Sequence, residues 1–265
     1  MEQYLEAAVE AAKKAGEFIQ SKSRNFNQVD YKGRVDLVTE VDRGSEEMIV
    51  TYLSDQFPDH SIIAEESDYQ EKTGSHQWII DPLDGTTNYV HAYPHYAVSI
   101  ALRVNKELAV GVVYNPATDE LFTAIRGEGA KLNNKPVHVS ETTKLQTSML
   151  STGFPYKLGE HWHRSFDLFK LFYMKTHGLR RDGSAALNLC YVASGRLDGF
   201  FEYDLNPWDV SAGTLMVLEG GGVVSDYSGY ESSVFDKEIL AANNSQLQQQ
   251  MLEVIQMFPG FSTKE

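Results

Sequence analysis

A single cysteine, Cys190, excludes an internal disulfide and fits a chain that folds in a reducing compartment, the cytoplasm being the expected location. No apolar run approaches the length needed to cross a bilayer, so no membrane association is expected. Positive charge is also scarce: 23 Lys and Arg stand against 37 Asp and Glu, a formal net charge of −14 with no basic block. That balance argues against nucleic acid as a partner. A small anionic substrate stays open, because bound cations can reverse the local potential. The first residues, Met1 to Glu6, are acidic and amphipathic and do not resemble a signal peptide. Low-complexity linkers and tandem repeats are missing too, so the 265 residues are expected to form one compact unit. Its halves are expected to divide at about residues 145–146, the first carrying metal-binding residues.

Apolar periodicity predicts most of the elements. Leu5, Ala8, Val9, Ala12, Ala15, Phe18 and Ile19 have helical spacing over residues 2–22. A second helix is expected from Arg43 to about Phe57, with Asp42 directly before it as an N-cap. The segment from Asp30 to Val35 reads as a loop or short hairpin. Residues 61–64 and 77–80 read as short buried strands, and 96–104, 108–114 and 120–125 as an antiparallel meander. In the second half, helices are expected over 162–175, 184–194, 207–219 and about 245–257, with strands over 199–203, 223–225 and 239–242. The sum is a mixed α/β chain with a substantial antiparallel component.

The most informative segment is Trp78-Ile79-Ile80-Asp81-Pro82-Leu83-Asp84-Gly85-Thr86-Thr87-Asn88. An apolar strand ends in two aspartates, Pro82 is expected to stop it, and Gly85 allows a close backbone approach before a helix start. Carboxylates at a strand end beside a helix N-terminus suit hard cations and a phosphate held together. Asp42, Glu65, Asp81, Asp84 and Asp209 all fall where predicted elements begin or end. Each has a plainer reading: a cap for Asp42, a solvated loop charge for Glu65, a turn former for Asp81 and Asp84, a first-turn helix charge for Asp209. A nearby Thr86–Asp42 pair would orient and deprotonate a water.

Asp36-Leu37-Val38-Thr39-Glu40-Val41-Asp42, Ala64-Glu65-Glu66-Ser67, the segment 78–88 and Trp208-Asp209-Val210-Ser211-Ala212-Gly213 together resemble the signature segments of the inositol monophosphatase family, in the family's order. The resemblance covers nearly the whole chain. It implies a layered α/β/α/β/α sandwich with largely antiparallel sheets, usually a homodimer, and a Mg²⁺-dependent, lithium-sensitive phosphatase with two or three ions per site. Glu65, Asp81 and the carbonyl of Leu83 would hold the first ion; Asp81, Asp84 and Asp209 the second; Glu65 also a weaker third. Thr86 and Asp42 would act with Glu65 as catalytic residues on a metal-activated water, without a covalent phosphoenzyme. Gly85 and Thr86 would offer backbone N–H groups to the phosphate. Gly183, Ser184, Ala185, Glu202 and Asp209 would face the substrate, Glu202 accepting bonds from sugar or inositol hydroxyls.

The implied reaction is hydrolysis of a phosphate monoester on a small polyol, with myo-inositol 1-phosphate first. Fructose 1,6-bisphosphate, NADP and adenosine bisphosphate are alternatives, since the stretch 68–77 is shorter than in animal members and implies a more open rim. A regulatory binding protein that contacts transcription machinery is a reading from a different class, against which every expected carboxylate is present. The upstream Lys32 lies one residue closer to Asp36 than the family pattern would place it. Among residues outside the motifs, His161 and His163 read as a polar helix start, and His91 and His95 as loop residues near the site. Arg181 reads as a structural ion-pair partner, Cys190 as core, and Gly220 to Gly222 as a helix end.

Overall fold

The computed structural model describes residues 1–22, 29–31, 37–67 and 74–257, with backbone only for 29–31 and 37–39. Lys32, Asp36 and most of the stretch 68–77 therefore lie outside the described residues. Seven helices and fourteen strands are described. In the first half they run α1 (Glu2–Lys22), β1 (Val29–Tyr31), β2 (Leu37–Thr39), α2 (Glu40–Gln56), β3 (Ser61–Ala64), β4 (His76–Asp84), α3 (Thr86–Val90), β5 (Ala97–Val104), β6 (Glu107–Asn115), β7 (Glu120–Ile125), β8 (Gly129–Leu132) and β9 (Lys135–Val137). The second half continues β10 (Met149–Thr152), α4 (Glu160–Lys175), β11 (Gly178–Arg180), α5 (Ala185–Ala193), β12 (Gly199–Tyr203), α6 (Pro207–Glu219), β13 (Val223–Ser225), β14 (Glu238–Ala242) and α7 (Ser245–Ile255).

Strands β3 to β9 form a seven-stranded sheet in sequence order, antiparallel except for the β3–β4 pair. A second sheet has the order β11-β10-β12-β14-β13; β10 runs parallel to both its neighbours, and the other pairs are antiparallel. Side-chain alternation sets the layers. Trp78, Ile80, Val98, Ile100, Leu102, Val110 and Val112 pack with α1 and α2. On the opposite face Ile79, Ala97, Ala101 and Val113 meet α5 and α6, which also cover Phe200 and Ala241 of the second sheet. The far face of that sheet, Leu150, Phe201 and Leu240, is closed by α4 and α7. The result is the α/β/α/β/α sandwich. Each large side chain buried as completely as Trp78 contributes about 1.5–3 kcal/mol.

Small residues set the layer spacing. Ala8, Ala11, Ala12 and Ala15 are the buried stripe of α1, and a Cβ on Gly16 would lie 2.5 Å from the Tyr114 ring. Across the sheet, a Cβ on Gly111 would meet the Ala212 carbonyl at 3.1 Å, so α6 lies directly on β6. None of the described helices is long and apolar enough to cross a membrane.

Two expectations about local structure are corrected. Strand β4 does not stop at Pro82 but continues to Asp84. Its register against β5 slips between Asp81, opposite Ser99, and Asp84, opposite Ala97. At such a bulge the ladder bond that proline cannot donate is not required. Helix α2 begins at Glu40, so Asp42 sits inside its first turn rather than capping it. The short pairings β8, β9, β10 and β11 were not foreseen, having too few residues to show a period.

Candidate active site

One cleft of about 140 Å³ gathers Glu65, Asp81, Leu83, Asp84, Gly85, Thr86, Gly183, Ser184, Ala185, Glu202 and Asp209. They come from the loop after β3, the end of β4, the start of α3, the segment entering α5, β12 and the first turn of α6. Asp42 approaches from behind, buried in α2. Every residue expected at the site is thus brought to the cleft or directly against it.

The β4 bulge presents the two aspartates differently. Asp81 is almost fully buried, and its Oδ1 accepts a bond from the Leu83 N–H at 3.0 Å. It does shape the turn, as the plainer reading held, and lines the cleft as well. Asp84 accepts from the Ser184 hydroxyl at 2.6 Å and the Ala186 N–H at 2.8 Å, tying β4 to the start of α5. Gly85 follows with φ 93° and ψ 37°, a left-handed conformation that favours glycine. A Cβ there would also meet the His95 carbonyl at 3.0 Å and that of Gly183 at 3.2 Å. Thr86 Oγ1 then lies 2.8 Å from Asp42 Oδ1 and 3.1 Å from the Leu83 carbonyl.

The remaining wall is equally ordered. Asp209 reaches back in the first turn of α6 to accept the Asn206 N–H at 2.7 Å. Glu202 packs its carboxylate directly against Gly153, where a Cβ would collide with it. Behind the cleft, buried Glu46 accepts the Glu66 N–H at 2.8 Å and the Ser67 hydroxyl, fixing the loop that carries Glu65.

Electrostatics mark this as an acid cluster. Burial first, then the charges of Glu65, Asp84 and Asp209, hold Asp81 well above the usual carboxylate range. Burial likewise raises Asp209, against the pull of its bond from Asn206. Asp84 is pushed up to about 6 by burial, with the bonds from Ser184 and Ala186 opposing. Glu202 is pushed up to about 8, again by burial, with Arg181 opposing. Such a set requires protons or cations. Among the described residues no group of three or more acidic, histidine or cysteine side chains is arranged to hold a metal ion by itself. The donor set nonetheless fits a hard divalent cation: carboxylates from separate segments plus a backbone carbonyl, with room for the waters that Mg²⁺ retains.

Several lining residues escaped the motif reading. Arg181 faces the cleft, and its charge acts on Asp84 and Glu202. Thr152, Gly153, Phe154, Tyr156, Asp204 and Asn206 line it as well. Their only signal was position, at or just past the ends of β10 and β12. His95, expected in a loop, is buried, with its ring edge-on to Tyr191. His161 opens α4 near its start and stacks on Tyr203, and Cys190 is buried in the core.

A layered sandwich with a carboxylate-lined cleft at the junction of its two sheets defines the class, and comparison with known proteins agrees. The profile of the inositol monophosphatase family matches residues 1–257, and the chain belongs to that family. Similar relatives include proteins named Nus factor SuhB: 45% identical over 245 residues in Pasteurella multocida, covering 91% of this chain and 92% of the relative. The Escherichia coli K12 protein of that name is 44% identical over 246 residues, covering 92% of each. Among solved structures, the extragenic suppressor protein SuhB of Bartonella henselae superposes with a TM-score of 0.90 at 38% identity, covering 96% of this chain and 98% of that one. An IMPase of Thermotoga maritima gives 0.89 at 35%, covering 97% and 98%.

Proposed function

We propose that the chain is a Mg²⁺-dependent phosphate monoester hydrolase acting on a small phosphorylated polyol, with myo-inositol 1-phosphate the leading substrate. The observation that carries this reading is the Thr86–Asp42 pair at 2.8 Å, whose Thr86 lines the same cleft as Glu65, Asp81, Asp84 and Asp209. Glu65, Asp81 and the Leu83 carbonyl would hold one ion, Asp81, Asp84 and Asp209 another, and Glu65 a weaker third. Bound Mg²⁺ would neutralise charge on the phosphate and leaving oxygen and make water a better nucleophile.

The chain's own groups do the rest. The Thr86 hydroxyl donates to Asp42, leaving its lone pairs to orient a water and draw its proton toward the Asp42 carboxylate. Gly85 and Thr86 supply the phosphate-facing start of α3. Gly183, Ser184 and Ala185 face the polyol from the opposite wall. Glu202, whose carboxyl burial pushes up to about 8, faces the hydroxyls as a hydrogen-bond partner. A homodimer, lithium sensitivity and a cytoplasmic location accompany this proposal as family expectations.

A second reading rests on the relatives named Nus factor SuhB at 44–45% identity: the same fold used as a regulatory binding protein. Phosphate release from inositol 1-phosphate, fructose 1,6-bisphosphate, NADP and adenosine 3′,5′-bisphosphate separates the two. Mg²⁺-dependent turnover of one ester supports the hydrolase. Silence on every ester, together with recovery of a stoichiometric macromolecular partner, supports the binding protein.

A further inference from the structure

The two walls of the cleft are tied together from outside by a residue that does not line it. The Asn88 side chain donates one N–H to the His95 carbonyl at 2.7 Å and the other to the Asp182 carbonyl at 2.8 Å. The backbone carbonyl of Asn88 accepts from the Tyr93 N–H at 2.8 Å, which fixes the turn after α3. Both carboxamide protons are therefore spent, one on each side of a seam. Asp182 is the residue before Gly183, and Gly183 has φ +88°. A Cβ on Gly183 would lie 3.1 Å from Asn88 Nδ2 and 2.9 Å from Arg181 Nη1. Backbone, carboxamide and guanidinium meet here with no room for a side chain.

We infer that Asn88 is a positioning residue: its two donated bonds set the separation between the wall at Gly85–Thr86 and the wall at Gly183–Ala185. This inference rests on the hydrolase reading above. Asp84 ties the same walls from inside through Ser184 and Ala186. Without Asn88, the Asp182–Gly183 peptides are free to swing outward about that inner tie. The phosphate-facing wall keeps its own anchors, the Thr86–Asp42 bond and the Tyr89 N–H to Gly85 carbonyl bond at 3.0 Å. A substrate spanning both walls then suffers, and one held by its phosphate alone does not.

The test uses Asn88→Leu, close to isosteric but without donors, and Asn88→Ala in case the branched side chain crowds Gly183. Steady-state kinetics with inositol 1-phosphate and p-nitrophenyl phosphate are read beside amide hydrogen exchange over residues 182–187. The expected result is a fall of about 10- to 100-fold in kcat/KM for the polyol ester. For p-nitrophenyl phosphate the fall should stay below about threefold, with faster exchange in 182–187 and a single cooperative urea transition that shows the variant folded. Equal falls on both esters, or unchanged exchange over 182–187, overturn the inference. If the wild-type chain releases phosphate from no ester, the hydrolase reading fails instead. The exchange measurement alone then decides whether Asn88 holds the seam.

Discussion

The Thr86 hydroxyl oxygen stands 2.8 Å from Asp42 Oδ1 and 3.1 Å from the Leu83 carbonyl, so a single proton faces two acceptors. Asp42 is the stronger acceptor when ionised, because a bond to a carboxylate is roughly twice as strong as one to a neutral oxygen. Removing either partner should leave the fold standing and the proton without a destination. Thr86→Val and Asp42→Asn are each expected to lower kcat by about 10²- to 10³-fold with little change in KM. Steady-state kinetics on the preferred ester check this, and a rise in KM at constant kcat would assign the pair to binding instead.

Gly153 tests the role of Glu202. A methyl group there collides with the carboxylate end of a flexible side chain rather than with backbone, so the chain gives way by moving Glu202. Gly153→Ala should cost less than about 1 kcal/mol of stability yet raise KM for a polyol phosphate about tenfold. Urea denaturation and kinetics measured on the same preparation separate the two effects.

The raised acids predict an inverted pH dependence without Mg²⁺. Asp84 binds its proton more tightly folded, at about 6, than in the unfolded chain, near 3.8. Its contribution to stability is therefore complete below about 3.8 and is lost as pH rises through about 6. In EDTA, Asp84→Asn should gain stability relative to wild type between pH 4 and pH 7.5, by up to about 3 kcal/mol. Mg²⁺ should reverse the order at pH 7.5 by stabilising only the chain with the full carboxylate set. A difference between variant and wild type that ignores pH would show that Asp84 is not held in a low-dielectric acid cluster.

Much of this site was legible because its residues sit at element boundaries that sequence marks well. Asp81 and Asp84 come directly after the apolar run Trp78-Ile79-Ile80 within β4, and Asp209 follows the Pro207 that starts α6. The sandwich was legible through family resemblance more than through periodicity, which gave the helices and the meander but not the second sheet's parallel pairs. Strands β10 and β11 are too short to show alternation, and β10 pairs with both β11 and β12 across helices. Asp42 was misread as a cap because nothing in Leu37-Val38-Thr39 shows where strand gives way to helix. Pro82 was misread as a stop because a bulge that tolerates it is a property of the pairing with β5, not of β4 alone. Arg181, Gly153 and the bond from Asn88 to Asp182 act through partners distant in sequence, and such contacts leave no local pattern.

In the proposed hydrolase, Asp84 and its neighbours hold the ions on which phosphate ester hydrolysis depends. The most direct measurement is phosphate release from inositol 1-phosphate as Mg²⁺ is titrated into EDTA-stripped protein, for wild type and Asp84→Asn side by side. Saturable, Mg²⁺-dependent release by wild type is expected, with a loss of at least about 10²-fold in the folded variant. Release that is independent of Mg²⁺, or equal in the two proteins, would contradict that role for Asp84.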